Sequence, residues 1–119
     1  MKNQFYIQYE SLVFDDCHSH NIVFSKPDIK DIAISLMKLV YGKIKKITFC
    51  SSNKVTAEII KYDNLILSID EEKIPLTQSD AELILSFLLD ATEEYMAYDH
   101  IDLEFTVENK SIDVCISIK

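Results

Sequence analysis

Residues 25–42 read SKPDIKDIAISLMKLVYG, and their pattern decides the fold class. Ser25 stands where an N-cap belongs, Pro27 falls in the first turn, and Asp28 follows the cap by three residues. Ile29, Ile32, Ala33, Leu36, Met37 and Val40 then recur at helical spacing, so one stripe of the segment is apolar. Gly42, the single glycine of the chain, follows where a helix-ending residue must enter the left-handed region. The segment is an amphipathic helix that must bury its stripe, and the residues on both sides of it are strand-like.

Upstream, residues 5–14 are rich in β-branched and aromatic side chains and read as a long strand, followed by a polar loop over residues 15–21. Downstream, residues 44–50 and 55–62 read as strands joined by Ser51-Ser52-Asn53-Lys54. A further strand over residues 65–70 follows Asp63-Asn64, a pair that tolerates the positive φ of a tight turn. Residues 74–76 suit a short edge strand, where Pro75 is tolerated. A second helix is expected to start near Ser79, with Glu82 at capping-box spacing, and to run toward Tyr98. Its apolar arc holds Ile84, Leu85, Phe87, Leu88, Leu89, Ala91, Tyr95 and Met96, against Glu82, Ser86, Asp90, Glu93 and Glu94 on the other side.

Two alternating strands close the chain. Ile101, Leu103, Phe105 and Val107 point one way on the first, as do Ile112, Val114, Ile116 and Ile118 on the second. The expectation is a single α+β domain over residues 1–119. Its sheet is mostly antiparallel, with two amphipathic helices on one face, in the order β-α-β-β-β-(β)-α-β-β. Tyr9-Glu10-Ser11-Leu12 echoes Tyr62-Asp63-Asn64-Leu65, and Asn-Lys pairs recur at 53–54 and 109–110. Two β-α-β-β halves would explain this, and so would coincidence in a chain rich in Ile, Lys and Asn.

Composition narrows the class. Apolar residues make up 48% of 119 positions, above the range of disordered chains despite a net charge of −8. No apolar run approaches the roughly 20 residues that cross a bilayer, and Met1-Lys2-Asn3-Gln4-Phe5 does not read as a signal peptide. Three cysteines, two of them in strand patterns, point to a reducing cytoplasm rather than a disulfide scaffold. The charge is unevenly spread. Residues 63–119 carry fourteen acidic side chains against three Lys, a net of −11, whereas residues 1–62 carry six against nine, a net of +3.

The chemical inventory excludes more than it offers. One glycine rules out the glycine-rich phosphate loops, and the absence of Arg removes bidentate phosphate and guanine recognition. Lys43, Lys45 and Lys46 could contact phosphate, but a sequence pI near 4.7 argues against direct nucleic-acid binding. Asp15-Asp16-Cys17-His18-Ser19-His20 carries metal-binding side-chain types, yet the chain has no second His or Cys pair to complete a familiar site. Cys17 beside His18 lacks an oxyanion hole, and Cys50 and Cys115 read as strand-packing residues. No catalytic residue, metal or cofactor is expected.

The penultimate strand concentrates polar residues. With its apolar set facing the core, His100, Asp102, Glu104 and Thr106 line the other face, beside Asp113, Cys115 and Ser117. An acid–base pair would need a cleft that separates the carboxylate pKa values, and an open sheet face offers none. A solvated face is one reading; a docking surface for a basic protein is another, formed by Asp90, Glu93, Glu94, Asp99, Asp102 and Glu104. In size, Lys/Ile/Asn-rich composition and acidic second half, and in Glu93-Glu94 and Asp99-His100-Ile101-Asp102-Leu103-Glu104, the chain resembles the immunity proteins of bacterial contact-dependent and other polymorphic toxin systems. The resemblance implies a cytoplasmic, non-enzymatic inhibitor that occludes a basic toxin or nuclease domain. The alternatives are a nucleic-acid mimic that blocks a host defence or DNA-binding protein, and a small metal-dependent enzyme or regulator using Cys17, His18 and His20. No membrane partner is expected, and pairing of the last strand's open edge would allow a homodimer.

Overall fold

The computed structural model describes residues 3–92 and 99–119. Among them are eight strands and two α-helices: β1 (Gln4–Phe14), β2 (Cys17–Phe24), α1 (Ile29–Val40), β3 (Lys46–Ser51), β4 (Lys54–Lys61), β5 (Leu65–Ile69), β6 (Glu72–Leu76), α2 (Gln78–Ala91), β7 (His100–Val107) and β8 (Lys110–Ile118). The α+β class stands as expected. The sheet, however, is mixed and nearly closed rather than simply antiparallel, with the order β6-β5-β4-β3-β1-β2-β8-β7. β1 runs parallel to β3, and β2 runs parallel to β8.

The helix over residues 25–42 forms with one refinement. A single 3-10 turn, Lys26–Asp28, precedes α1, and the Ser25 side chain makes no capping hydrogen bond. Pro27 explains the turn, since it presets φ and supplies no N–H. At the other end Gly42 adopts φ 74°. Its N–H donates to Leu39 O at 3.0 Å and Lys43 N–H donates to Lys38 O at 2.7 Å, the paired bonds that satisfy a helix's last carbonyls. The second helix starts earlier than Ser79. Thr77 caps it: its hydroxyl accepts from Asp80 N–H at 3.1 Å while the Asp80 carboxylate accepts from Thr77 N–H at 2.9 Å. Leu89 is exposed, contrary to expectation, whereas Ala81, Ile84, Phe87, Leu88 and Ala91 are buried. Tyr95, Met96, Glu93 and Glu94 lie outside the described residues.

The largest correction concerns residues 15–21, which are not a loop. Asp15 (φ 52°) turns the chain, and Cys17–Phe24 forms β2, an interior strand paired with β1 on one side and β8 on the other. Asp63-Asn64 is also not a positive-φ turn; those conformations fall at Ser52-Asn53 and Glu108-Asn109, the tips of the β3–β4 and β7–β8 hairpins. β6 forms as expected, with Pro75 exposed on an outermost strand. Each half of the chain runs β-β-α-β-β, but the pairings do not repeat: β3 pairs with β1, whereas β7 pairs only with β8 among the described residues.

β1 changes partner along its length. Gln4, Phe5 and Tyr6 pair with β3, and Ile7 to Phe14 pair with β2. Under this seam Phe5, Phe49 and Phe24 stack, with centroids 6.0 Å apart for the first pair and 5.4 Å for the second. The sheet curls around both helices, so Ile32 and Leu36 of α1 and Ile84 of α2 meet Ile47, Ile59, Leu67 and Ile116 in one interior. Phe49→Ala is expected to cost about 3–5 kcal/mol through the lost contacts and the cavity left among three rings. Thr77→Ala should cost only about 1 kcal/mol, because one exposed cap is lost. Urea unfolding of the two variants checks the ranking.

Candidate functional site

The outer face of β1, β2, β8 and β7 is a regular grid. Inward residues alternate with outward ones on every strand, and the register aligns the outward residues into rows. One row is Leu12, Ser19, Asp113 and Glu104; the next is Glu10, Asn21, Cys115 and Asp102. They are flanked by the row Phe14, Cys17, Ser111 and Thr106 and by the row Gln8, Val23, Ser117 and His100. No Lys occurs at these sixteen positions, and four carboxylates do. Lys119 stands at one corner, where it helps to wall a hollow of about 280 Å³ with Gln8, Glu10, Asn21, Val23 and Ser117.

Like charges meet on this face. Glu104 and Asp113 are direct cross-strand partners, an arrangement in which like charges repel. The Cys17 thiol donates to Asp113 Oδ2 at 3.4 Å, a weak bond from a neutral donor. At the start of β7, His100 Nδ1–H donates to Asp99 Oδ1 at 2.9 Å, and His100 Nε2 lies 3.7 Å from Asp102 Oδ2. The hydrogen bond to Asp99 and the charge of Asp102 raise the His100 pKa above the usual imidazole value, and the same bond lowers that of Asp99. Burial, with Asp102 beside it, pushes the Cys115 thiol up, so it remains protonated and a poor nucleophile.

A second polar cluster lies on the inner side of β2, where the sheet comes back toward itself. His18 and His20 project inward, while Cys17 and Ser19 project outward; the three metal-binding types of residues 15–20 therefore do not converge. Among the described residues no group of three or more His, Cys, Asp or Glu is arranged to hold a metal. Instead the histidines meet Glu72 at the start of β6. His18 Nδ1–H donates to Glu72 Oε1, and His20 Nε2 lies 3.5 Å from the same oxygen. His20 is 4% exposed, and its Nε2 has no hydrogen-bond partner among the described residues. Its Nδ1 is 2.6 Å from the Tyr9 hydroxyl. A carboxylate beside Nε2 favours the proton there, so Tyr9 O–H donates to Nδ1. Burial raises the Tyr9 pKa and keeps its phenol protonated. The cluster clasps the β1–β2 hairpin to the β5–β6 turn.

The structure brings Asp102 and Glu104 together with Asp113 on one face, as the alternation of β7 and β8 implied. Asp99 immediately precedes β7, and Asp90 is exposed on α2, in the helical layer behind the sheet. Glu93 and Glu94 fall outside the described residues. Glu10, Leu12 and Phe14 join the face only because β2 runs between β1 and β8, which no local pattern announces. Comparison with protein-family models, with curated proteins and with solved structures matched nothing. No helix among the described residues is long and apolar enough to cross a membrane.

The clasp makes stability pH-dependent. Burial lowers the His20 pKa, partly offset by Glu72 and Asp70, with His18 also facing it and adding to the lowering. The folded protein therefore holds His20 neutral at pH values where the unfolded chain, with a pKa near 6.5, takes up a proton. Stability is expected to fall as pH drops below about 6.5, and the loss continues until the lower folded-state pKa is passed. Chemical denaturation at pH 7.5, 6.5 and 5.5 should show a shallower decline for His20→Phe than for the wild type.

Proposed function

We propose that this protein is an immunity-type inhibitor whose outer face on β1, β2, β8 and β7 docks a basic toxin or nuclease domain and covers its active site or substrate groove. The observation that carries the reading is the Glu104–Asp113 pair, two carboxylates opposed across neighbouring strands on a face whose grid holds no lysine. Such a pair costs stability in the free protein. A cationic side chain from a partner relieves that repulsion and adds attraction. Nuclease domains are basic because they hold phosphates, so an acidic face is the complement they offer an inhibitor. Complementary charge also speeds encounter, which suits an inhibitor that must act before damage is done. A cytoplasmic location and the absence of enzymatic activity belong to the same proposal.

The natural candidate for the partner is the C-terminal domain of a large secreted protein encoded immediately upstream. Coexpression should yield a stable complex and abolish that domain's toxicity. Replacing Glu10, Asp102, Glu104 and Asp113 together by Gln or Asn should slow association about 10- to 100-fold at low salt and flatten its salt dependence. Glu104→Gln alone should leave the free protein more stable by about 0.2–1 kcal/mol, since it removes the opposed charge. An association rate and salt slope unchanged in the fourfold variant would overturn the assignment of this face. Binding of several unrelated DNA-binding proteins with equal strength would favour a nucleic-acid mimic instead.

A further inference from the structure

We propose that Leu12 and Phe14, at the tip of the β1–β2 hairpin, are the apolar anchor of this docking face and seat in an apolar socket of the basic partner. The inference rests on the docking reading and goes beyond it by separating the residues that steer from those that hold. Leu12 is 68% exposed and Phe14 73% exposed, so neither contributes to the core. Both project outward on β1. The register puts Leu12 in the row that ends in Asp113 and Glu104, and Phe14 in the row beside it. Between the apolar edge and the acidic edge lie Ser19, Asn21, Cys17 and Ser111, which are small or short. Three strand spacings separate β1 from β7, about 14 Å, so one partner surface can engage both edges.

The tip is held in place before any partner arrives. Asp16 O accepts from Ser111 N–H at 3.2 Å, which ties the hairpin turn to the start of β8. His18 fastens β2 to Glu72, and Tyr9 fastens β1 to His20. A large apolar side chain carried on a backbone held in this way reaches its bound position with no cost for ordering the backbone. Its chemical surroundings select the occupant. Glu10, Asp15 and Asp16 flank the tip and outnumber Lys110, which shares a hollow with Leu12, so the tip opposes an anionic lipid surface. Asp102, Glu104, Asp113 and Glu10 on the same face oppose a second copy of this chain. A protein that presents lysines or arginines next to an apolar socket satisfies both edges.

Steering charges act mainly on the association rate, and desolvated central anchors act on dissociation. The test is real-time binding of the upstream-encoded C-terminal domain to wild type, Leu12→Ser, Phe14→Ser and the double variant, at two salt concentrations. The double variant should dissociate at least about 30-fold faster, with its association rate and salt slope unchanged. Phe14→Tyr, which keeps the ring, should retain most of the residence time. Thermal midpoints of the free variants should match the wild type, because both positions are exposed. Dissociation within twofold of wild type in the double variant, with the acidic fourfold variant still slow to associate, would remove the anchor and leave the docking face standing. No complex with the wild type would overturn both proposals. A wild-type homodimer that Phe14→Ser dissociates, or binding of wild type to anionic vesicles that Phe14→Ser abolishes, would assign the tip to a different occupant and overturn the inference.

Discussion

The structure depends on the division of β1 between two partners. Three residues of this strand, Gln4 to Tyr6, lie parallel to β3; the next eight lie antiparallel to β2. A strand that serves two ladders in succession turns a corner, and a sheet with a corner can curl around its core instead of lying flat. The corner is filled from inside by Phe5, Phe49 and Phe24, one ring from each of β1, β3 and β2. Without that division, β6-β5-β4-β3 and β2-β8-β7 would be separate small sheets, each with an apolar face and too few covering helices. The two helices are enough because the curled sheet presents both of them with a common interior.

The same division produces the outer face. Beyond Tyr6, β1 no longer pairs with β3, and its distal half runs out as one arm of a hairpin whose other arm, β2, joins β8 in parallel. The carboxylates of β7 and β8 and the apolar tip of β1 thereby share one surface, although they are about ninety residues apart in sequence. On the inner side the same hairpin is pinned to the β5–β6 turn by Glu72. His18 makes that bond, and the buried His20 beside it is a liability at low pH, because it must stay neutral to remain buried. The clasp ties the hairpin to that turn through the His18–Glu72 hydrogen bond.

What could be read in the sequence was what short-range pattern encodes. The α1 stripe and Gly42 located a helix to within a turn, and the strict alternation of β7 and β8 separated core from outer face correctly, which also placed Asp102, Glu104 and the half-buried Asp113 outside. β2 was illegible because His18, Ser19, His20 and Asn21 lack strand propensity. Their conformation is imposed by ladders on both sides, and long-range pairing overrides local preference. The start of α2 was misplaced for a different reason. Thr77-Gln78-Ser79-Asp80 and Ser79-Asp80-Ala81-Glu82 both carry capping spacing, and pairing of Leu76 with Leu65 carries β6 right up to Thr77, which leaves Thr77 at the junction. Glu10, Leu12 and Phe14 were visible as one side of an alternating strand, but their place beside Asp113 follows only from the parallel pairing of β2 with β8.

On the proposed reading, this one face meets the partner. Carbodiimide labelling of carboxylates, read by mass spectrometry on the free protein and on its complex with the upstream-encoded domain, tests it most directly. Glu10, Asp102, Glu104 and Asp113 should lose reactivity in the complex, while Asp63, Glu82 and Asp90 keep theirs. Undiminished labelling of those four, with protection on the helical layer instead, would contradict it.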